Sequence, residues 1–338
     1  MIGARRLLAP ALGAAGLVVA GYATAVGLVR SRTPAGAPEG EIAAVIDLVL
    51  AERGTAGTHH YLTTEAGRTH VLEVGAGEPL VLLHGLGASA GSYLALIAAL
   101  GRHRRVIAID RPGAGLSDPI RFRGHPRPAW NAVISAVADS FELGTFDLVG
   151  HSLGGLAAGG FAIDNPSAVR RLVLLAPVGI SSRLPAIWAV VGLPGVLDLV
   201  GALDQMKMAR QVARGETDVR GISWGPVQVG TDRLGYRYLI GRRFARGSDL
   251  DSFPALMAIL RFRSESLLLP GLGLFSGRVL VIWGDRDELV AAAPAQEELA
   301  SFPGIELRVL PMRGHLFPFT EPLRTAQMIE AFLAGEPG

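Results

Sequence analysis

The chain has no cysteine. That absence excludes a disulfide framework, a thiolate metal site and a cysteine nucleophile, and it leaves the compartment open. Charge is also scarce: 18% of the residues are charged and the formal net charge is +2. The pI near 9.3 reflects a slight arginine excess rather than a basic block. No segment clusters lysine and arginine with interleaved aromatics, so no nucleic-acid partner is expected. What the chain does have is apolar residues, at 49%, which is rich for a soluble protein and has in part a local source. Its 338 residues suffice for one large domain or two smaller ones.

The local source is the amino terminus. Arg5 and Arg6 precede an uncharged run of 23 residues from Leu7 to Val29, which Arg30 and Arg32 close. That is long enough to cross a hydrocarbon core about 30 Å thick. A membrane-anchoring helix within residues 1–30 is the preferred reading. A cleaved signal peptide is the alternative, because Ala23-Thr24-Ala25 offers a small-x-small cleavage site after a basic segment. A helix buried on the domain ranks last, since the run has no polar face. Residues 31–58 read as a linker, with Pro34 and Pro38, followed by a short helix over Glu41 to Arg53.

From His59 onward the pattern is that of an α/β protein. Two β-like runs, His59 to Thr64 and Thr69 to Val74, flank the turn signal Glu65-Ala66-Gly67-Arg68. Short apolar runs at Pro79–Leu83, Arg105–Ile109, Phe146–Val149 and Arg171–Ala176 then alternate with helical segments. This is the signature of a parallel sheet covered on both faces. The alternation stops between Pro177 and Gly277 and resumes with Arg278–Trp283, a helix near Pro294, Glu306–Leu310 and a last helix over Glu321 to Leu333. An insertion placed after the sixth strand sits over the crevice at the strands' carboxyl ends, so residues 178–277 read as a helical cap.

The chemistry is concentrated at strand ends. Gly150-His151-Ser152-Leu153-Gly154 follows an apolar run and opens a helix of small residues. A serine at such a strand–turn–helix apex stands clear of the backbone, and the helix start offers N–H groups to a developing oxyanion. Acyl transfer by Ser152 needs a base and a group to orient that base. The single histidine after Ser152 is His315, directly beyond the last expected strand. Gly284-Asp285-Arg286-Asp287-Glu288 follows the preceding strand; Asp287 is preferred as the orienting acid and Asp285 is the alternative. A helix cap or Asx turn is the plainer role for either aspartate. The oxyanion hole is assigned to the N–H groups of Leu153 and of Leu86, in the loop His84-Gly85-Leu86-Gly87, with His84 bracing that loop. No metal and no cofactor is required.

Four patterns now stand in order at strand ends: His84-Gly85-Leu86-Gly87, Asp110-Arg111-Pro112-Gly113-Ala114-Gly115-Leu116-Ser117, the Ser152 pentapeptide, and Gly284-Asp285-Arg286-Asp287 with Gly314-His315. With them the chain resembles the α/β-hydrolase fold superfamily, in its esterase, haloperoxidase-like and carbon–carbon hydrolase branch. The resemblance covers about Tyr61 to Leu333. It implies an eight-stranded, mostly parallel sheet flanked by helices, with a core of residues 59–177 and 278–338. It also supports Asp287, since the family's acid takes the fourth position of Gly-x-x-Asp. Relatives that use aspartate at the elbow, the haloalkane dehalogenases and epoxide hydrolases, are set aside because residue 152 is serine.

The expected function is hydrolysis of a carboxylic ester or related acyl bond through Ser152, His315 and Asp287. Trp188, Trp224, Phe244, Phe253 and Leu267 to Leu269 in the cap favour an apolar or lipid-like small-molecule substrate. Arg242, Arg243 and Arg246 fit a solvated helix face better than a site for an anionic head group. The alternatives are a carbon–carbon bond hydrolase using the same residues and a non-catalytic ligand-binding module of the same fold.

Overall fold

The structure, a computed structural model, describes residues 39–118, 120, 122, 124–181, 218–220, 226–228, 259 and 266–335. The amino-terminal run 7–29, Trp188, Trp224, Phe244, Phe253 and the three cap arginines lie outside the described residues. Among the described residues no helix is long and apolar enough to cross a membrane.

Eight strands form one sheet in the order β1-β2-β4-β3-β5-β6-β9-β10. They are β1 Gly57–Thr64, β2 Gly67–Val74, β3 Pro79–Leu83, β4 Arg105–Ile109, β5 Phe146–His151, β6 Val169–Leu175, β9 Arg278–Gly284 and β10 Ile305–Leu310. β1 and β2 pair antiparallel, as do β2 and β4, and every later pairing is parallel. The expected eight-stranded, mostly parallel α/β-hydrolase sheet is therefore present. One difference lies in the stretch read as helical: a small antiparallel hairpin joins β7 Asp218–Arg220 to β8 Pro226–Gln228. Runs of three residues are too short to show a period, which is why they escape a pattern reading.

The parallel strands are mostly apolar where the sheet is deepest, Asp147 and His151 of β5 being buried exceptions. β3, β5 and β9 are buried from their second residue on, because helices cover both faces. One layer groups α1 Glu39–Glu52, α2 Leu94–Leu100 and the last helix Pro322–Ala334; the other groups α3 Arg127–Ser140, α4 Leu153–Asp164 and the short turn Leu269–Leu272. α1 buries Ile42, Val45, Ile46 and Leu50, one face at helical spacing. Leu268 and Leu269, expected to line the cap, are instead buried in the main core, with Leu268 against α4 at Gly159. At about 25 cal/mol per Å² of apolar surface, such side chains each contribute about 1.5–3 kcal/mol.

The sheet order reverses direction at β3. From β3 the chain crosses outward to β4, then returns to the other side of β3 as β5. In open α/β sheets the ligand crevice opens at such a switch point, between the loops that leave the two adjacent strands. Here those loops are His84–Gly87 and the turn at Ser152.

Candidate active site

β5 ends at His151 and α4 begins at Leu153, so a single residue makes the whole strand-to-helix turn. That residue is Ser152, at φ 54° and ψ −116°. A positive φ with this ψ is strained for an L-residue and is held only where the surroundings over-determine it. Three backbone hydrogen bonds do so: Ser152 N–H donates to Leu175 O (2.9 Å), and Ser152 O accepts from Val178 N (3.1 Å) and Leu156 N (3.2 Å). The turn also demands bare backbone on either side. A β-carbon at Gly150 would lie 2.3 Å from Gly154 O, and one at Gly154 would lie 2.4 Å from the carbonyl oxygens of Leu83 and His84. α4 is therefore pressed against the end of β3. Leu153 is its first residue, so the Leu153 N–H has no acceptor within the helix.

The loop after β3 passes directly over this turn. A β-carbon at Gly85 would meet Ser152 Cβ at 3.2 Å. Gly85, Leu86, Gly87 and Ala88 form a tight turn closed by Ala88 N–H to Gly85 O (3.3 Å), with Gly87 at φ 61°. His84 braces it as expected: its Nδ1 donates to Gly85 O (2.8 Å) while its Nε2 accepts from Arg111 N–H (2.9 Å). Arg111 was not singled out by sequence, yet its guanidinium donates to His84 O (2.9 Å) and Gly85 O (3.0 Å) and lies over the Trp130 ring at 5.3 Å. Burial lowers its pKa to about 10, against the pull of Tyr93 and Asp110, and it remains a cation at neutral pH.

Asp110 anchors the next loop. It accepts from His70 Nδ1 (2.7 Å), Ala90 N (2.7 Å) and Leu116 N (2.9 Å). Burial pushes its carboxyl up, but the His70 hydrogen bond and charge, the charge of His84 and the Leu116 amide outweigh it, leaving the pKa at about 2. It sits in the scaffold position the sequence suggested.

His315 and Asp287 meet. His315 Nδ1 and Asp287 Oδ2 are 2.7 Å apart, and both side chains are buried. Asp287 also fills the plainer role foreseen for it, with its other oxygen: Oδ1 accepts from Leu289 N (2.9 Å) and Val290 N (2.8 Å). Trp283 Nε1 donates to Oδ2 (3.1 Å) and to Val290 O (3.0 Å). Asp285 does different work: its Oδ1 accepts from Arg313 N (3.2 Å), which ties the two loops together away from the imidazole. His315 is joined to the elbow through its main chain, where His151 Nε2 lies 3.0 Å from His315 O. A Ser152 Oγ to His315 hydrogen bond is not among those formed between described residues; such bonds are often long in a free enzyme. Among the described residues no group of three or more histidine or acidic side chains is placed to hold a metal ion.

A helical sheet flank, a strained serine at a β5 turn and a buried His–Asp pair at the same edge together define a class. The chain belongs to the alpha/beta hydrolase fold family, whose model matches residues 78–322. It is 27% identical over 297 residues to a 2-hydroxy-6-oxononadienedioate/2-hydroxy-6-oxononatrienedioate hydrolase of Cupriavidus pinatubonensis, covering 82% of this chain and 96% of that one. Over 127 residues it is 39% identical to a 2-hydroxy-6-oxo-2,4-heptadienoate hydrolase of Pseudomonas putida, covering 36% of this chain and 46%, about half, of that relative. Among solved structures it is similar in fold to a membrane phospholipase A described as a bacterial virulence factor, with a TM-score of 0.66 and 21% identity over 98% of each chain.

Proposed function

We propose that the protein is a serine hydrolase that cleaves a carboxylic ester, or a related acyl bond, of an apolar or lipid-like small molecule. The observation that carries the reading is the convergence at one sheet edge of a strained Ser152, the buried Asp287–His315 pair and the Gly85–Gly87 backbone. His315 Nε2 takes the Ser152 proton as Oγ bonds to the carbonyl carbon. The Leu86 and Leu153 N–H groups receive the oxyanion; each such donor is worth about 3 kcal/mol of transition-state stabilisation. Collapse of the tetrahedral intermediate expels the alkoxide, which takes the proton from His315. Water, deprotonated by His315, then attacks the acyl-serine, and collapse releases the acid as Ser152 Oγ takes that proton back from His315. Asp287 holds the imidazole in the tautomer whose Nε2 is free to accept.

The apolar substrate class rests on the aromatic residues of the 178–277 insertion, Trp188, Trp224, Phe244 and Phe253. The run Leu7 to Val29 supports a membrane-bound enzyme, tested by whether the full chain, but not one lacking residues 1–38, partitions with membranes. A second reading, hydrolysis of a carbon–carbon bond next to a ketone, is favoured by the relatives named for 2-hydroxy-6-oxo acids. It uses the same nucleophile and differs in its leaving group, a carbanion that must be protonated. A panel of p-nitrophenyl esters of graded acyl length, run beside a 2-hydroxy-6-oxo-dienoate, decides between them. Turnover of neither, with no Ser152-dependent activity, overturns the hydrolase reading.

A further inference from the structure

His151 stands between the glycine and the serine of the elbow, and the chemistry above gives its side chain no task. It is nonetheless buried, at 2% exposure, and both ring nitrogens are committed. Nδ1 lies 2.6 Å from Tyr93 Oη, and Nε2 lies 3.0 Å from His315 O. Tyr93 Oη in turn accepts from Gly85 N–H at 3.2 Å. The ring of Phe319 covers both partners, 4.5 Å from Tyr93 and 5.7 Å from His151 between centroids.

The polarity of this chain is fixed at both ends. A carbonyl only accepts, so His151 Nε2 carries the hydrogen. With the hydrogen on Nε2, Nδ1 of the neutral ring is a lone pair, so Tyr93 O–H donates to it while the same oxygen accepts from Gly85 N–H. The bonds therefore run one way: Gly85 N–H to Tyr93 O–H to His151 Nδ1, and His151 Nε2–H to His315 O. Taking up a proton at Nδ1 would reverse that bond and turn the Tyr93 hydroxyl hydrogen away from the ring. Burial, and next the nearby His315 charge, hold its pKa well below the ordinary histidine value, so the ring stays neutral. It thus cannot act as a second base without breaking the chain. What the chain joins is specific: the loop of one assigned oxyanion donor, the residue preceding the nucleophile and the main chain of His315. These groups come from the loop after β3, from β5 and from the segment after β10, which are far apart in sequence.

We propose that Tyr93 and His151 are positioning residues of the hydrolysis, holding the Gly85 loop, Ser152 and His315 in one catalytic register. The proposal rests on the hydrolase reading of Ser152. A displacement of about 1 Å in such a site costs on the order of a hundredfold in rate. The test is the rate at which a fluorophosphonate probe labels Ser152 in the full chain, divided by the folded fraction measured by circular dichroism. Tyr93→Phe, which removes one oxygen atom, slows labelling per folded molecule by about tenfold or more, and kcat for a p-nitrophenyl ester falls with KM changed by less than about threefold. His151→Leu does the same, and the double variant is no slower than the slower single one by more than about twofold, because the chain is already cut. If His151→Leu does not fold, His151→Gln replaces it. Folded variants that label at the wild-type rate, a loss confined to thermal stability, or losses that multiply in the double variant each overturn the proposal while leaving the hydrolase reading intact. A wild-type chain that does not label at all overturns both.

Discussion

Replacing Asp287 by asparagine exchanges one oxygen for an NH2 group at a site where both oxygens are in use. Oδ1 serves the amides of Leu289 and Val290, and Oδ2 serves His315 Nδ1 and Trp283 Nε1. The asparagine has one acceptor to offer, so it must choose a side. Turned toward His315, it sets its NH2 against two buried main-chain N–H groups, at about 1–3 kcal/mol for each donor left unpaired. Turned toward the main chain, it satisfies both amides, and Trp283 keeps Val290 O at 3.0 Å. The imidazole is then the one group able to adapt, by moving its hydrogen from Nδ1 to Nε2 and accepting from the new NH2. This orientation costs about 1 kcal/mol of stability and gives a well-folded protein. It also points an N–H, not a lone pair, at Ser152. The expected loss in kcat is about 10⁴-fold, or about 5.5 kcal/mol in the barrier. Asp285→Asn is the matched control: its amide oxygen accepts the same hydrogen bond from Arg313 N, and kcat stays within about threefold. Steady-state hydrolysis of a p-nitrophenyl ester with a thermal melt of each variant makes the comparison. Asp287→Asn within about tenfold of wild type, or Asp285→Asn as crippled as Asp287→Asn, would refute the assignment.

Ser152→Gly removes both the hydroxyl and the Cβ that makes φ 54° costly, so activity vanishes while stability rises by about 1 kcal/mol; a thermal midpoint at or below wild type contradicts the strain. Gly284→Ala places a β-carbon 2.2 Å from Arg313 O and 2.8 Å from Gly314 O, which are backbone atoms just before His315. It costs about 1–3 kcal/mol and lowers kcat, and an unchanged melt with unchanged kcat counts against the packing shown here. Stability falls on mild acidification. Unfolding exposes His151, which then binds a proton near pH 6.5 that the folded ring, with its pKa well below that value, does not take. The unfolded state thus holds more protons, so the stability attributable to this residue is intact well above pH 6.5 and is lost progressively as the pH falls from about 7.5 to about 5.5. Urea titrations at the two pH values measure this, and a His151→Gln chain that loses as much on acidification as wild type refutes the attribution.

Much of this was legible in the sequence because it follows from burial and order. Strands covered on both faces, such as Leu80–Leu83 and Val279–Trp283, leave uninterrupted apolar runs, and their alternation with helices implies a parallel sheet. The elbow was legible since its glycines answer to contacts of 2.3–2.4 Å that no side chain survives. That His315 should meet an aspartate followed from strand-end placement, whereas the preference for Asp287 over Asp285 leaned on the family resemblance. What escaped was whatever depends on side chains meeting across the sheet. Tyr93 lies in an apolar helical stretch and reads as core; nothing local says that its hydroxyl reaches residue 151. Arg111 reads as a turn residue, although its guanidinium holds two carbonyls of a loop that follows a different strand. The dual use of Asp287 was likewise hidden, because an Asx turn and a histidine partner are read from sequence as rivals, whereas a carboxylate has two oxygens to divide between them.

The strained serine explains why the surrounding structure is so over-determined. A residue at φ 54° and ψ −116° gives up about 1–3 kcal/mol relative to relaxed backbone. Each main-chain hydrogen bond at the turn contributes about 1 kcal/mol net. The three that hold Ser152 come from Leu175, Val178 and Leu156, that is, from β6, the loop beyond it and α4. The strain is thus offset by elements that exist to complete the sheet, and relaxing the turn would unpair groups in all three. The same logic runs through the side chains: Gly85, Ser152 and His315 belong to separate loops, and each is tied to neighbours that are themselves buried. Loosening one loop therefore exposes unpaired donors or acceptors in another. A site built this way gains its rigidity from its own hydrogen bonds. It also concentrates its vulnerability in a few atoms, among them Tyr93 Oη and the two oxygens of Asp287, each of which serves two partners.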